Sequence, residues 1–115
     1  MIDDVATLTL QQAVAGLGIR QQVTANNIAN LQTPGFTAQS VDFESSLAAA
    51  VAAGDPGQAA ITTTNSPNPP GVNGNNVSLS DEFVTATKTG LQESLLTNTL
   101  TSEYGLISTV LKGGA

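Results

Sequence analysis

Four of the chain's five prolines, Pro56, Pro67, Pro69 and Pro70, lie between residues 54 and 76, interleaved with Gly54, Gly57, Gly71 and Gly74. Proline has no backbone N–H and a locked φ, so this block excludes a long helix or a central strand. The spacing predicts a flexible loop over 54–76. The 115 residues are thereby divided into two ends that must supply the regular structure.

Both ends carry helical periodicity. Leu10, Val14, Leu17, Gln21, Thr24, Ile28 and Leu31 recur in steps of four and three, which places one stripe of a helix over about 5–31 against a partner. Gln21 and Thr24 make that seam thin. Asp3 and Asp4 suit the helix N-terminus, where negative charge is favoured. Gly16 and Gly18 oppose it by about 1 kcal/mol each relative to Ala, and read either as tolerated surface glycines or as points of close backbone approach. Thr33-Pro34-Gly35-Phe36 ends the helix: Pro34 biases Thr33 away from helical geometry, and Gly35 supplies the positive φ of a type II turn within 32–39.

Ser40 is expected to cap a short helix over about 40–53, with Asp42 and Glu44 in its first turn and Val41, Phe43, Leu47 and Val51 as its apolar content. Beyond the loop, Ser78 or Ser80 caps a long helix over about 79–112, led by Asp81 and Glu82. Leu96, Leu100, Tyr104, Ile107 and Leu111 follow at steps of four, four, three and four, with Leu91 and Leu95 upstream. Lys112 and Gly113 close it in the usual manner. The expected fold is all-α and a single domain over 1–115: two long terminal helices packed as an antiparallel hairpin or coiled coil, a short middle helix and a Pro/Gly-rich loop. No internal repeat is apparent.

Composition limits the chemistry. There is no Cys and no His, which removes disulfides, thiol nucleophiles, Cys/His metal sites and imidazole proton relays. The carboxylate pairs Asp3/Asp4 and Asp81/Glu82 both sit at expected helix starts, where the helix dipole accounts for them. No Gly-Lys-Ser/Thr follows the glycines of 54–74, so no phosphate-binding loop is present. The expectation is a non-enzyme with no cofactor and no metal. Net charge is −6, from nine carboxylates against Arg20, Lys88 and Lys112. That balance argues against nucleic acid and anionic membrane surfaces. No run approaches the roughly 20 apolar residues of a membrane span, so direct membrane insertion is not expected. Met1-Ile2-Asp3-Asp4 is acidic where a secretory leader would be basic, so no cleaved signal peptide is expected. Aromatics are 3% of the chain, leaving a thin aliphatic core that association with other chains is expected to complete.

One segment exceeds what composition explains. In Asn26-Asn27-Ile28-Ala29-Asn30-Leu31-Gln32-Thr33-Pro34-Gly35-Phe36, three asparagines crowd a helix end and run into the turn, where their amides cap carbonyls or accept left-handed geometry. This string resembles the N-terminal signature of the bacterial flagellar axial proteins, the rod, hook and hook-associated subunits. Arg20-Gln21-Gln22-Val23, Val41-Asp42-Phe43-Glu44 and Gly74-Asn75-Asn76-Val77-Ser78-Leu79-Ser80-Asp81-Glu82 narrow the resemblance to the FlgB-type basal-body rod family. Leu91 to Leu96 lacks the Tyr that the family usually places there. Longer rod and hook paralogues insert β-rich domains for which this chain has no room.

The resemblance implies a structural subunit that polymerises into the proximal rod and transmits motor torque towards the hook and filament. It implies delivery by the flagellar type III export apparatus without a cleaved signal. The implied partners are copies of the chain, other rod proteins, and MS-ring or export-gate adaptor proteins at the rod base. Asn26, Asn27, Ile28, Asn30, Thr33, Pro34, Gly35 and Phe36 would form an assembly interface, with the Asn-rich turn and Phe36 locking the angle between the first helix and the next segment of chain. Gly16, Gly18, Gly90 and Gly105 would suit crowded helix contacts. The alternatives are a FlgC-type rod subunit and a small secreted WXG-type helical hairpin; the latter calls for a Trp that this chain lacks.

Overall fold

The computed structural model describes the backbone of residues 5–111 and the side chains of 5–102. Asp3, Asp4, Lys112 and Gly113, and the side chains of Tyr104, Ile107 and Leu111, lie outside the described residues. Helix α1 spans Val5–Ala29 and helix α3 spans Leu79–Leu111. Between them come strand β1 (Gln39–Asp42), helix α2 (Glu44–Ala52), a single 3-10 turn (Pro56–Gln58) and strand β2 (Thr62–Asn65).

The fold is mostly helical, and the all-α expectation is corrected by a small antiparallel sheet. β1 pairs with β2 in the register Gln39↔Asn65, Ser40↔Thr64, Val41↔Thr63 and Asp42↔Thr62. Thr62-Thr63-Thr64 is a β-branched run free of proline, which suits a strand inside the segment expected to be loop. Its pairing draws Ser40 out of the expected cap position and sets its hydroxyl 3.3 Å from that of Thr64. The short helix therefore begins at Glu44, after Phe43, with no side-chain cap.

The ends of the long helices follow local rules. Past Ala29 the chain tightens: Asn30 N–H bonds the carbonyls of Asn26 and Asn27, and Leu31 N–H bonds that of Ile28, all at 3.1 Å. Helix α1 thus stops before the expected 31. Gly35 takes φ +74°, and Phe36 N–H bonds Thr33 C=O at 3.2 Å, which closes the type II turn. At the start of α3, the Ser78 hydroxyl accepts the Asp81 N–H at 3.3 Å.

The core takes Leu17 from the expected seam, with Leu96 packed against it, and draws the rest from the 39–61 segment. Leu17, Val41, Phe43 and Leu47 form the buried cluster, with Ala13, Ile19, Val23, Val51, Ala59, Ile61 and Leu96 half-buried around it. It joins the middle of α1 to the 39–61 segment. Of the seam positions described, Leu17 and Thr24 are fully buried, while Leu10, Val14, Gln21, Ile28, Leu31, Leu96 and Leu100 are half-buried. The reason is Gly16: a Cβ there would stand 2.6 Å from the Phe43 ring, so the missing side chain opens the slot that the ring fills.

Helices α1 and α3 lie side by side, with contacts in opposite chain order: Asn27 meets Glu82, and Gln21 meets Ala86. The inward positions of α3, namely Glu82, Thr85, Thr89, Gln92 and Leu96, recur at steps of three and four, and all but the last are polar. Four of its described large apolar side chains, Phe83, Val84, Leu91 and Leu95, are instead 58–69% exposed. This reverses the usual polarity of a helix on a globular core. No described helix is long and apolar enough to cross a membrane.

Candidate functional site: the asparagine clasp

Asn27 is fully buried near the end of α1. Its Oδ1 accepts the Gln39 N–H at 3.0 Å, and its Nδ2 donates to the Gln39 C=O at 2.7 Å, so the side-chain amide pairs with β1 as a neighbouring strand would. Nδ2 also donates to the Glu82 carboxylate. One side chain thus ties α1 to β1 and to α3. Asn is suited to this because its amide presents donors and acceptor in the geometry of a peptide group.

Asn30 acts more locally. Its Nδ2 donates to Asn26 C=O at 2.8 Å, and its Oδ1 accepts the Thr33 hydroxyl at 3.0 Å. The Asn30 carbonyl, however, accepts Nδ2 of Asn75 at 2.8 Å, and the same Nδ2 reaches Thr33 C=O at 2.8 Å. Asn75 Oδ1 accepts the Val77 N–H at 2.8 Å. Asn76 completes the arrangement: its Oδ1 accepts the Ala38 N–H at 2.6 Å, and its Nδ2 donates to Ser66 C=O at 3.2 Å and Asn68 C=O at 3.1 Å. Among the described residues every buried side-chain polar atom has a partner, which makes a polar clasp of this kind tolerable in a thin fold.

The structure gathers Asn27, Asn30, Thr33 and Gly35 into the clasp. Asn26 and Pro34 are exposed, and Ile28 and Phe36 are half-buried; Phe36 contributes its carbonyl, which accepts the Asn76 N–H at 3.2 Å. The aromatic side chain that fixes the 39–61 segment to α1 is Phe43 rather than Phe36. Sequence reasoning assigned no site role to Asn75, Asn76, Gln39 or Glu82. The adjacent pair Asn75-Asn76 just ahead of a capped helix was the available signal.

A second junction backs the clasp. Arg20 Nη1 and Nη2 each donate to one Glu44 carboxylate oxygen at 2.7 Å, Nη2 also reaches Val41 C=O at 2.7 Å, and the guanidinium lies 4.9 Å from the Phe43 ring centroid. The hydrogen bond from Arg20 holds the Glu44 carboxyl down to about 2. Glu44 sits in the first turn of α2, as expected, but its charge is spent on Arg20 across 24 positions of sequence. Beside this junction an open apolar groove of about 570 Å³ runs between α1, α2 and α3, lined by Ala13, Leu17, Leu47, Val51 and Leu95 among others. Of the glycines expected at crowded helix contacts, Gly16 meets Phe43 and Gly90 lies 3.6 Å from Gln21 Nε2, whereas Gly18 and Gly105 face open space. Among the described residues no group of acidic side chains is placed to hold a metal ion.

A helical pair clasped at one end by asparagine amides, with apolar side chains turned outward, defines a structural subunit built to be surrounded. Comparisons with known proteins agree. The family model described as "Flagella basal body rod protein" matches residues 8–37, the half of the clasp that runs from α1 into the turn. The chain is also 30% identical over 131 residues to the flagellar basal body rod protein FlgB of Salmonella typhimurium strain LT2, an alignment covering 95% of each chain. The chain belongs to the flagellar basal body rod proteins, FlgB type; it is a structural subunit of the basal body and not an enzyme.

Proposed function

We propose that this subunit forms part of the proximal rod, where it packs with copies of itself and with other rod proteins to transmit torque from the motor to the hook and filament. Adaptor proteins of the MS ring and export gate are its partners at the rod base. It reaches that position through the flagellar export apparatus without a cleaved signal, and it neither binds nucleic acid nor inserts into the membrane. The observation that carries this reading is the face that α3 turns to solvent, which buries Thr89 and half-buries Thr85 while it shows Phe83, Val84, Leu91 and Leu95. Exposed apolar side chains in a continuous stripe on a subunit of this family call for covering neighbours. In the assembly, the seam of Leu10, Val14, Leu17, Ile28, Leu31, Leu96 and Leu100, extended by Tyr104, Ile107 and Leu111, is completed as a coiled coil, and residues 26–36 form a face that adjacent subunits read.

The chain has no cysteine, so single thiols report cleanly. Leu91→Cys and Leu95→Cys are expected to react with a maleimide at least tenfold more slowly in isolated basal bodies than in the dilute purified subunit, because neighbouring subunits cover them. A thiol at either position that is alkylated as fast in basal bodies of motile cells as in the purified subunit would count against the proposal.

A further inference from the structure

We infer that residues 30–38 and 73–77 form a self-supporting backbone knot that sets the register of α1 against α3, so that the helical pairing follows from the knot and does not close it. This inference concerns the isolated chain and does not depend on the proposed role in the rod.

Three observations carry it. The first is the density of bonds between segments far apart in sequence. Asn75 and Asn76 span 38 to 45 positions to reach Ala38, Thr33 and Asn30, and each uses its donors and its acceptor on backbone groups. The main chain adds Gly35 N–H to Asn73 C=O at 2.9 Å and Asn76 N–H to Phe36 C=O at 3.2 Å. Bonds to particular backbone groups on both segments specify one alignment, because a shift of one residue carries those C=O and N–H groups out of reach or turns them away from their partners.

The second is that the two segments touch at paired glycines. Gly35 and Gly74 both take left-handed conformations, with φ of +74° and +81°, and a Cβ on Gly74 would stand 3.2 Å from the Gly35 Cα. Only glycine reaches this geometry without strain, and the close approach brings Gly35 N–H within bonding distance of Asn73. The crossing is thus built into both strands of the knot.

The third is the weakness of the alternative. Register in a helical pair comes from distinctive apolar knobs or a specifying polar contact. Between Glu82 and Leu96 the inward stripe of α3 offers Thr85, Thr89 and Gln92, with no large apolar knob among them, while Phe83, Val84, Leu91 and Leu95 are exposed. The bonds from α1 to α3 made by Asn27 and Gln21 lie towards the knot end of the pair.

The test is amide hydrogen exchange on the full chain, followed residue by residue by NMR. The N–H groups of Gly35, Ala38, Asn76 and Val77 are expected to exchange at least tenfold more slowly than those of residues 92–100 in α3. Exchange in the knot as fast as in that stretch of helix would overturn the inference. Asn76→Asp keeps the acceptor for Ala38 and removes both donors; it is expected to speed exchange tenfold or more both in the knot and at Thr89 and Leu96. Leu96→Ala provides a second reading that does not perturb the clasp. It is expected to speed exchange over 92–100 while leaving the four knot amides within twofold of the unaltered chain. A loss of protection in the knot equal to that in the helix would overturn the inference, whether or not the Asn76 variant folds.

Discussion

The backbone of Gly16 lies against the ring of Phe43, and a Cβ built at Gly16 would stand 2.6–2.7 Å from three ring carbons. The ring is buried among Leu17, Val41 and Leu47, and the clash reaches its Cγ, next to the Cβ that anchors it, so flipping the ring in place does not relieve it. Gly16→Ala is therefore expected to lower stability, the overpacking cost of about 1–3 kcal/mol exceeding the helix gain of about 1 kcal/mol or less. At Gly18 the same change meets open space and is expected to raise stability by about 0.5–1 kcal/mol. Urea midpoints should order Gly18→Ala above the unaltered chain and Gly16→Ala below it.

The Arg20–Glu44 junction has a pH signature. Glu44 ionises in the folded state at about 2, against an ordinary value of 4.5. Because the folded value is the lower one, the unfolded chain takes up the proton first as pH falls. The contribution is therefore complete above about pH 4.5 and lost as pH drops towards 2. The Glu44 side chain is 55% exposed, so solvent screening limits the effect to about 1 kcal/mol or less. Denaturation of the unaltered chain and of Glu44→Gln should differ most near pH 6 and converge as pH falls to about 2.

Asn27 and Asn30 belong to one motif but are expected to differ in weight. Asn27→Ala strands the partly buried N–H and C=O of Gln39, frees Glu82 and leaves a gap where a fully buried side chain stood, a loss of about 2 kcal/mol. Asn30→Ala removes side-chain bonds to Asn26 and Thr33 only, within one turn, and should cost about 1 kcal/mol. Thermal denaturation checks the order. In cells, Asn27→Ala should abolish swimming at normal expression levels, with Asn30→Ala the milder change.

The outward stripe of α3 should separate folding from assembly. Leu91→Ser removes a side chain that is 69% exposed, so monomer stability is expected to stay within about 0.5 kcal/mol while rod assembly fails. Leu17→Ala, at 3% exposure, should do the reverse first, costing about 2–5 kcal/mol of monomer stability. Urea denaturation paired with a motility assay distinguishes the two. Equal stability losses in both variants would refute the assignment of inner and outer faces.

What was legible in the sequence is what neighbours within a few residues decide. The two long helices follow from three-and-four periodicity, the turn at Thr33–Phe36 from a proline and a glycine in the positions a type II turn requires, and the cap at Ser78 from a hydroxyl three residues before an available N–H. The short helix was legible as a helix but not in its start: Ser40 satisfies a local rule for capping, yet it pairs with Thr64. Nothing near Ser40 announces a strand 24 positions later.

The sequence by itself determined that this chain is mostly helical, poor in reactive groups and bearing a rod signature through residues 26–36. Only the tertiary structure decided where the core lies, which amides complete the signature and which face of α3 is left to its neighbours. The physical reason is that these depend on partners remote in the chain. Phe43 is buried because Gly16 leaves room for it, Arg20 is neutralised because Glu44 is brought to it, and Asn75 and Asn76 become structural because the turn at Gly35 presents the carbonyls and N–H groups they bond. Periodicity places a stripe on a helix, but the direction in which that stripe faces is set by whatever else competes for its partner. On α1 the competitor is the segment 39–61, which takes the apolar surface and leaves α3 to face α1 with its threonines.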